Sequence, residues 1–117
     1  MNQLTLIGRL TADPELTAPK GNPICRFRIA VDRPATDGAD FINIVSFGTR
    51  GENDARWLTK GRLVAIVGRL HHNTWTDTDG NNRERYECVA NQVTYLDGPR
   101  PKNDPAPTEH APGEEPF

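Results

Sequence analysis

An all-β fold, a small five-stranded barrel carrying one short helix, is what this sequence of 117 residues predicts. Three observations lead there. Apolar residues recur at alternate positions over short stretches. Those stretches are separated by clusters of Pro, Gly, Asn and Asp, the residues that turn a chain. A single segment of the body carries helix signals at both of its ends. The length suits one compact domain with a core and little more.

The elements follow in order. Leu4 to Leu10 reads as a first strand, stopped by Ala12-Asp13-Pro14. A loop runs through Pro19-Lys20-Gly21-Asn22-Pro23. In the second strand, Ile24 to Val31, Phe27, Ile29 and Val31 share one face while Arg26 and Arg28 share the other, the pattern of a half-buried strand. After a loop from Pro34 to Asp40, Phe41 to Phe47 forms a third strand. Its parity sets Phe41, Asn43, Val45 and Phe47 against Ile42, Ile44 and Ser46, and both sets contain apolar groups, so alternation alone leaves the core face open. Glu52 to Lys60 is the helix, acidic at its start, basic at its end, with Gly61 placed for a left-handed cap. Arg62 to Leu70 is the fourth strand. Trp75 opens a loop, Thr76 to Asn82, with the composition of a hairpin turn, and Arg83 to Val93 is the fifth strand. From Asp97 onward recurrent proline precludes regular structure. The chain thus divides into a domain of residues 1–96 and a disordered, acidic tail of residues 97–117. Five strands with a helix between the third and fourth is the pattern of the OB-fold, a Greek-key barrel whose face and loops bind oligonucleotides or oligosaccharides. An SH3-like barrel is the alternative, but it seldom places a full helix there.

Composition narrows the function. Formal net charge is -2, unevenly spread: residues 1–96 hold 12 basic and 11 acidic groups, and residues 97–117 hold 2 basic and 5 acidic. A near-neutral domain is no strong electrostatic magnet for nucleic acid, so any such contact depends on where the basic groups are placed. Cys25 and Cys88 interrupt apolar runs and read as buried free thiols. No CxxC is present and His71 and His72 point opposite ways on a strand, so no metal and no cofactor is expected. The start, Met1-Asn2-Gln3-Leu4, lacks a basic and apolar leader, and Leu63 to Val67 is far too short to span a bilayer. The expected place is the cytoplasm, with no membrane contact. No nucleophile–base constellation and no phosphate-cradling glycine loop nominates an enzyme.

Binding is better supported. Single-stranded nucleic acid requires π-faces for bases and a basic track for phosphates. Trp75 stands in a polar stretch with no apolar neighbour in sequence, and is a stacking candidate. Phe41 and Phe47 fit either stacking or core. Phe27 belongs with the core, and Trp57 and Tyr86 read as packing residues. Arginine outnumbers lysine, and Arg9, Arg26, Arg28, Arg50, Arg56, Arg62, Arg69, Arg83 and Arg85 fall on or beside the elements, where a guanidinium can pair with phosphate or stack on a base. Scattered arginines on a small domain more commonly form only a solvated face. The end of the chain, Gly113-Glu114-Glu115-Pro116-Phe117, joins carboxylates to one aromatic ring, a compact ligand for a basic-rimmed apolar pocket.

Taken in order, several segments resemble the bacterial single-stranded DNA-binding protein family of homotetrameric OB-fold type. They are Asn2 to Leu10 with Asp13-Pro14-Glu15, Phe27 to Val31, Phe41 to Gly48, Trp57 to Gly61, Val67 to Leu70, Trp75-Thr76-Asp77 with Gly80, and the tip. The resemblance implies base stacking on Phe41, Phe47 and Trp75, with Asn43 where the family often has a basic residue. It implies a homotetramer, a role in DNA replication, recombination and repair, and recruitment of replication and repair proteins by Glu114, Glu115, Pro116 and Phe117. The sequence departs from the pattern at Pro34 and Ala35, where a further stacking Trp is missing, and in the less basic run His71 to Thr74. The competing expectation is an OB-fold accessory or adaptor protein of the replication machinery with weak DNA affinity.

Overall fold

The computed structural model of the chain describes residues 1–97; the tip residues Glu114, Glu115, Pro116 and Phe117 lie outside them. The strands are β1 (Leu4–Leu10), β2 (Glu15–Thr17), β3 (Ile24–Asp32), β4 (Ala39–Phe47), β5 (Leu63–Thr76) and β6 (Asn82–Tyr95), with α1 (Gly48–Trp57) between β4 and β5. They form one sheet in the order β1-β5-β6-β4-β3-β2, and a further β1–β3 pairing closes it into a barrel. All pairings are antiparallel except β4 with β6, where Ile44 lies level with Cys88 and Val45 with Val89. The five long strands are those expected from the sequence. The short β2 is an addition that only lengthens the β3 edge, pairing Glu15 to Thr17 with Arg26 to Ile24.

Alternation fills the barrel. Leu10, Phe27, Ile29, Ile44, Val64 and Ile66 point inward and are nearly inaccessible, and the free Cys25 and Cys88 join them. Ile42, Ile44 and Ser46 therefore take the core side of β4, which the period-2 pattern had left open. Burial, helped by the charge of Asp54, pushes the Cys25 thiol up to about 11, and burial raises Cys88 as well. Both thiols stay protonated at neutral pH.

Closure relies on two close approaches. A Cβ on Gly8 would sit 2.5 Å from the Ala30 carbonyl oxygen, at the point where β1 leaves β5 for β3. A Cβ on Gly68 would sit 2.2 Å from the Val89 oxygen, beside the irregularity between Val67 and Gly68 that bends β5.

Two elements differ from their sequence-based bounds. The helix spans Gly48–Trp57, not Glu52 to Lys60. Gly48, at φ +66, lets the chain turn into the helix directly after Phe47. The helix ends early because Leu58 leaves it in an extended conformation and inserts into the core at 2 % exposure. Gly61 caps no helix: it sits at φ +90 in the turn Thr59 to Arg62 and donates its N–H to the Leu10 oxygen at 2.9 Å. The second difference is β5 and β6, a 14-residue pair that projects past the barrel. Trp75 does not open the loop but lies within β5, opposite Arg83. The turn is Asp77 to Asn81. The Asp77 Oδ1 accepts the Asp79 and Asn81 N–H groups at 3.0 and 2.9 Å, and its Oδ2 accepts Arg83 Nε at 2.8 Å. Those bonds, Arg83 first, hold the Asp77 carboxyl below its ordinary range. Among the described residues no helix is long and apolar enough to cross a membrane.

Candidate functional site

Strand parity carries side chains of four strands to one outer face. On β3 these are Arg26 and Arg28; on β4 they are Phe41, Asn43, Val45 and Phe47. Register aligns Arg28 with Asn43, Arg26 with Val45, and Ala30 with Phe41. The parallel pairing continues the face from Val45 to Val89 on β6. From there β5 adds Arg69 opposite Val89, His71 opposite Glu87, Asn73 opposite Arg85, and Trp75 opposite Arg83. Because paired residues point to the same side of a sheet, these groups form one continuous surface from the β3 edge to the projecting hairpin.

The face has aromatic and basic components in alternation. Phe41, Phe47 and Trp75 remain 58 %, 50 % and 41 % exposed, which resolves the two phenylalanines in favour of the surface. The Arg28 guanidinium lies 5.1 Å from the Phe41 ring centroid, and that of Arg85 lies 5.2 Å from the Trp75 ring. Such contacts set a cation over one face of a ring, and the exposure of both rings leaves surface for another planar group. Between them runs a groove of about 330 Å³, with Arg26, Arg28, Asn43, Val45, Arg85 and Glu87 in its walls. Val45, at 1 % exposure, is its apolar floor. Glu87 is buried on this face and lies 3.6 Å from Arg85 Nε, so one arginine is partly neutralised at the centre.

The sequence-derived arginines do not all share one environment. Arg26, Arg28, Arg50, Arg56 and Arg69 have no carboxylate partner among the described residues. Arg28 makes only a 3.5 Å bond to the Thr11 hydroxyl. Arg26, Arg28 and Arg69 belong to the face; Arg50 and Arg56 lie on α1, away from it. Arg83 is on the face but engages Asp77. Arg9 donates to the Gly61 oxygen at 3.0 Å and lies 3.7 Å from Asp97. Arg62 is the most committed: it donates to Asp97 Oδ1, to the Asp97 carbonyl and to the Trp57 carbonyl, each at 3.0 Å, with its side chain only 12 % exposed. Arg9 and Arg62 tie β1 and the start of β5 to Asp97.

Two aromatic assignments are corrected. Trp57 and Tyr86 are not packing residues: they are 48 % and 57 % exposed. Tyr86 lies on the opposite side of the hairpin from Trp75, stacked on His72 with centroids 4.5 Å apart, and His72 Nε2 lies 3.0 Å from Glu84. Arg85 was one of the arginines noted in the sequence, but its place over the Trp75 ring was not legible there. Only the continuation of β5 beyond Leu70 to Thr76 brings Trp75 beneath it, and the polar run His71 to Thr74 gave no periodic signal for that extension. Among the described residues no three His, Cys, Asp or Glu converge as a metal-ligand set.

Comparison with known proteins adds an independent line. Residues 1–96 match the Single-strand binding protein family. A single-stranded DNA-binding protein of Clostridium perfringens is 40 % identical over 100 residues, covering 83 % of this chain and 67 % of that protein. One from Clostridium tetani is 42 % identical over 103 residues, covering 83 % of this chain and 71 % of its own length. A single-stranded DNA-binding protein 2 of Staphylococcus aureus is 39 % identical over 109 residues, covering 88 % of this chain and 75 % of that protein.

Proposed function

This chain belongs to the single-strand binding protein family, and we propose that it binds and protects single-stranded DNA without regard to sequence during replication, recombination and repair. The observation that carries this reading is the outer face of β3, β4, β6 and β5, where Phe41, Phe47 and Trp75 are exposed beside Arg26, Arg28 and Arg69. Rings offer stacking to any base, because every base has a π-face, and guanidiniums without carboxylate partners among the described residues track the phosphates. Asn43 stands between Phe41 and Phe47 on the same face and supplies a hydrogen-bonding amide to a sugar or base edge. Duplex DNA is disfavoured, since its bases are already stacked.

In this reading the protein acts as a homotetramer. Ile7 on β1 and Leu70 on β5, exposed at 53 % and 43 %, are apolar surface that a second copy would cover. Glu114, Glu115, Pro116 and Phe117 dock on replication and repair proteins through a basic-rimmed pocket. Binding itself needs no bond-making or bond-breaking step, and the proposed activity is not enzymatic.

Titration with oligo(dT) tests the reading. Bases stacked on Trp75 should quench the intrinsic fluorescence, and Trp75→Ala should weaken binding by about 1–3 kcal/mol for the stacked base it loses. A folded Trp75→Ala variant with unchanged affinity would remove Trp75 from the site.

A further inference from the structure

The helix carries an aromatic that the sheet face does not account for. Trp57 ends α1 and is 48 % exposed, although the preceding turn buries Asp54 and the next residue, Leu58, is in the core. It borders a groove of about 550 Å³ whose walls are Arg50, Asn53, Asp54 and Trp57 on the helix and Val93 and Tyr95 on β6. Positions 50, 53, 54 and 57 follow the three- and four-residue spacing of one helix stripe. The groove thus lies along the side of α1, across from the end of β6.

Its chemistry repeats that of the sheet face. The Arg56 guanidinium lies 5.4 Å from the Trp57 ring, against 5.1 Å for Arg28 on Phe41 and 5.2 Å for Arg85 on Trp75. The chain builds this exposed ring with its arginine three times, twice on the face and once on the helix. Neither Arg50 nor Arg56 has a carboxylate partner among the described residues. The acid within the stripe, Asp54, is 2 % exposed, accepts a bond from Tyr95 at 2.7 Å, and has its carboxyl raised by burial. The accessible part of the groove therefore presents Arg50 and the Trp57 indole, and Arg56 sits over that ring from outside the groove's lining. Helix α1 begins directly after Phe47, and its ten residues span about 15 Å. A strand leaving Phe47 reaches Trp57 within a few nucleotides.

We propose that Trp57, flanked by Arg50 and Arg56, is a further nucleobase-stacking station, which takes the single strand off the sheet face and along α1. An indole with adjacent guanidiniums matches one base and its phosphates. The inference rests on the single-strand-binding reading above.

The test compares poly(dT) affinity of the full-length protein with that of Trp57→Ala, Trp57→Phe and Trp75→Ala, each checked by circular dichroism. Trp57→Ala should bind about five- to 150-fold more weakly, the equivalent of one lost stacked base, and Trp57→Phe should recover most of that loss. Arg56→Gln, which leaves the ring in place, should make the salt dependence shallower by about one phosphate contact. That variant keeps the proposal testable if Trp57→Ala fails to fold. Trp57→Ala binding like the wild type while Trp75→Ala is impaired would overturn this inference and leave the sheet-face reading standing. Absence of poly(dT) binding by the wild type would instead remove the reading beneath it, and the inference with it. Binding of an isolated Gly-Glu-Glu-Pro-Phe peptide that is lost in Trp57→Ala, with poly(dT) affinity intact, would make the groove a peptide site and overturn the proposal.

Discussion

Each arginine of the barrel is either tied to a carboxylate or left without one, and that difference decides what its removal does. Arg28 faces outward opposite Asn43 and has no acidic partner among the described residues. Arg28→Gln should weaken single-strand binding at every sequence and make the slope of log affinity against log salt shallower by about one. Arg62→Gln should do the reverse. It breaks three 3.0 Å bonds that join the β5 start to Trp57 and Asp97. The melting temperature should fall while the salt slope stays unchanged. Equal salt slopes for wild type and Arg28→Gln would take Arg28 off the phosphate track. The alternation of Arg26 and Arg28 with Phe27 and Ile29 was legible in the sequence because one strand suffices to set parity. The commitment of Arg62 was not, because its partner lies 35 positions away and no local pattern records it. For the same reason Phe41 and Phe47 were ambiguous: both faces of β4 carry apolar side chains, and only the closed barrel decides which is inside.

At the scale of elements, the strands declared themselves and their extensions did not. β1 and β3 alternate because one side of each packs on the core, and that alternation is visible in isolation; β4 is legible as a strand but not as to which side is core. The outer halves of β5 and β6 have no core to face. They are held by ladder hydrogen bonds and cross-strand pairs, Trp75 with Arg83 and His72 with Tyr86; β6 was still legible from Arg83 onward, but β5 beyond Leu70 reads as a polar stretch that ends in a loop at Trp75. The helix is fastened to the barrel by a buried polar contact, Tyr95 Oη donating to Asp54 Oδ1 at 2.7 Å, while Asp54 Oδ2 is buried without a partner. Burial raises the Asp54 carboxyl above its ordinary 3.8, outweighing the opposing bond from Tyr95, the nearby Ser46 hydroxyl and the charge of Arg50. A carboxyl raised in the folded state stabilises the fold fully below its unfolded value and loses that contribution as pH climbs through the folded value. Asp54→Asn keeps an acceptor for Tyr95 but does not titrate. Its melting temperature relative to wild type should therefore rise as pH increases from below 4 toward neutrality. A constant difference across that range would show that Asp54 titrates alike in both states.

The whole molecule combines a near-neutral domain with an acidic end. Residues 97–117 hold 2 basic and 5 acidic groups, and like charge repels phosphate. Deleting Gly113 to Phe117 should leave single-strand affinity equal or slightly tighter and abolish capture of replication and repair proteins; retained capture would reduce the tip to a solvated end. Near-neutrality also means that affinity rests on placement rather than on net charge. The sheet face meets that condition by gathering Arg26, Arg28 and Arg69 beside Phe41, Phe47 and Trp75. The most direct measurement is a competition titration of the full-length protein with single strands of differing base composition and with duplex of equal length. Binding by stacking and phosphate contact requires comparable affinity for all the single strands, much weaker binding of the duplex, and a decline with added salt. Equal affinity for duplex and single strand, or strict dependence on one base sequence, would contradict it.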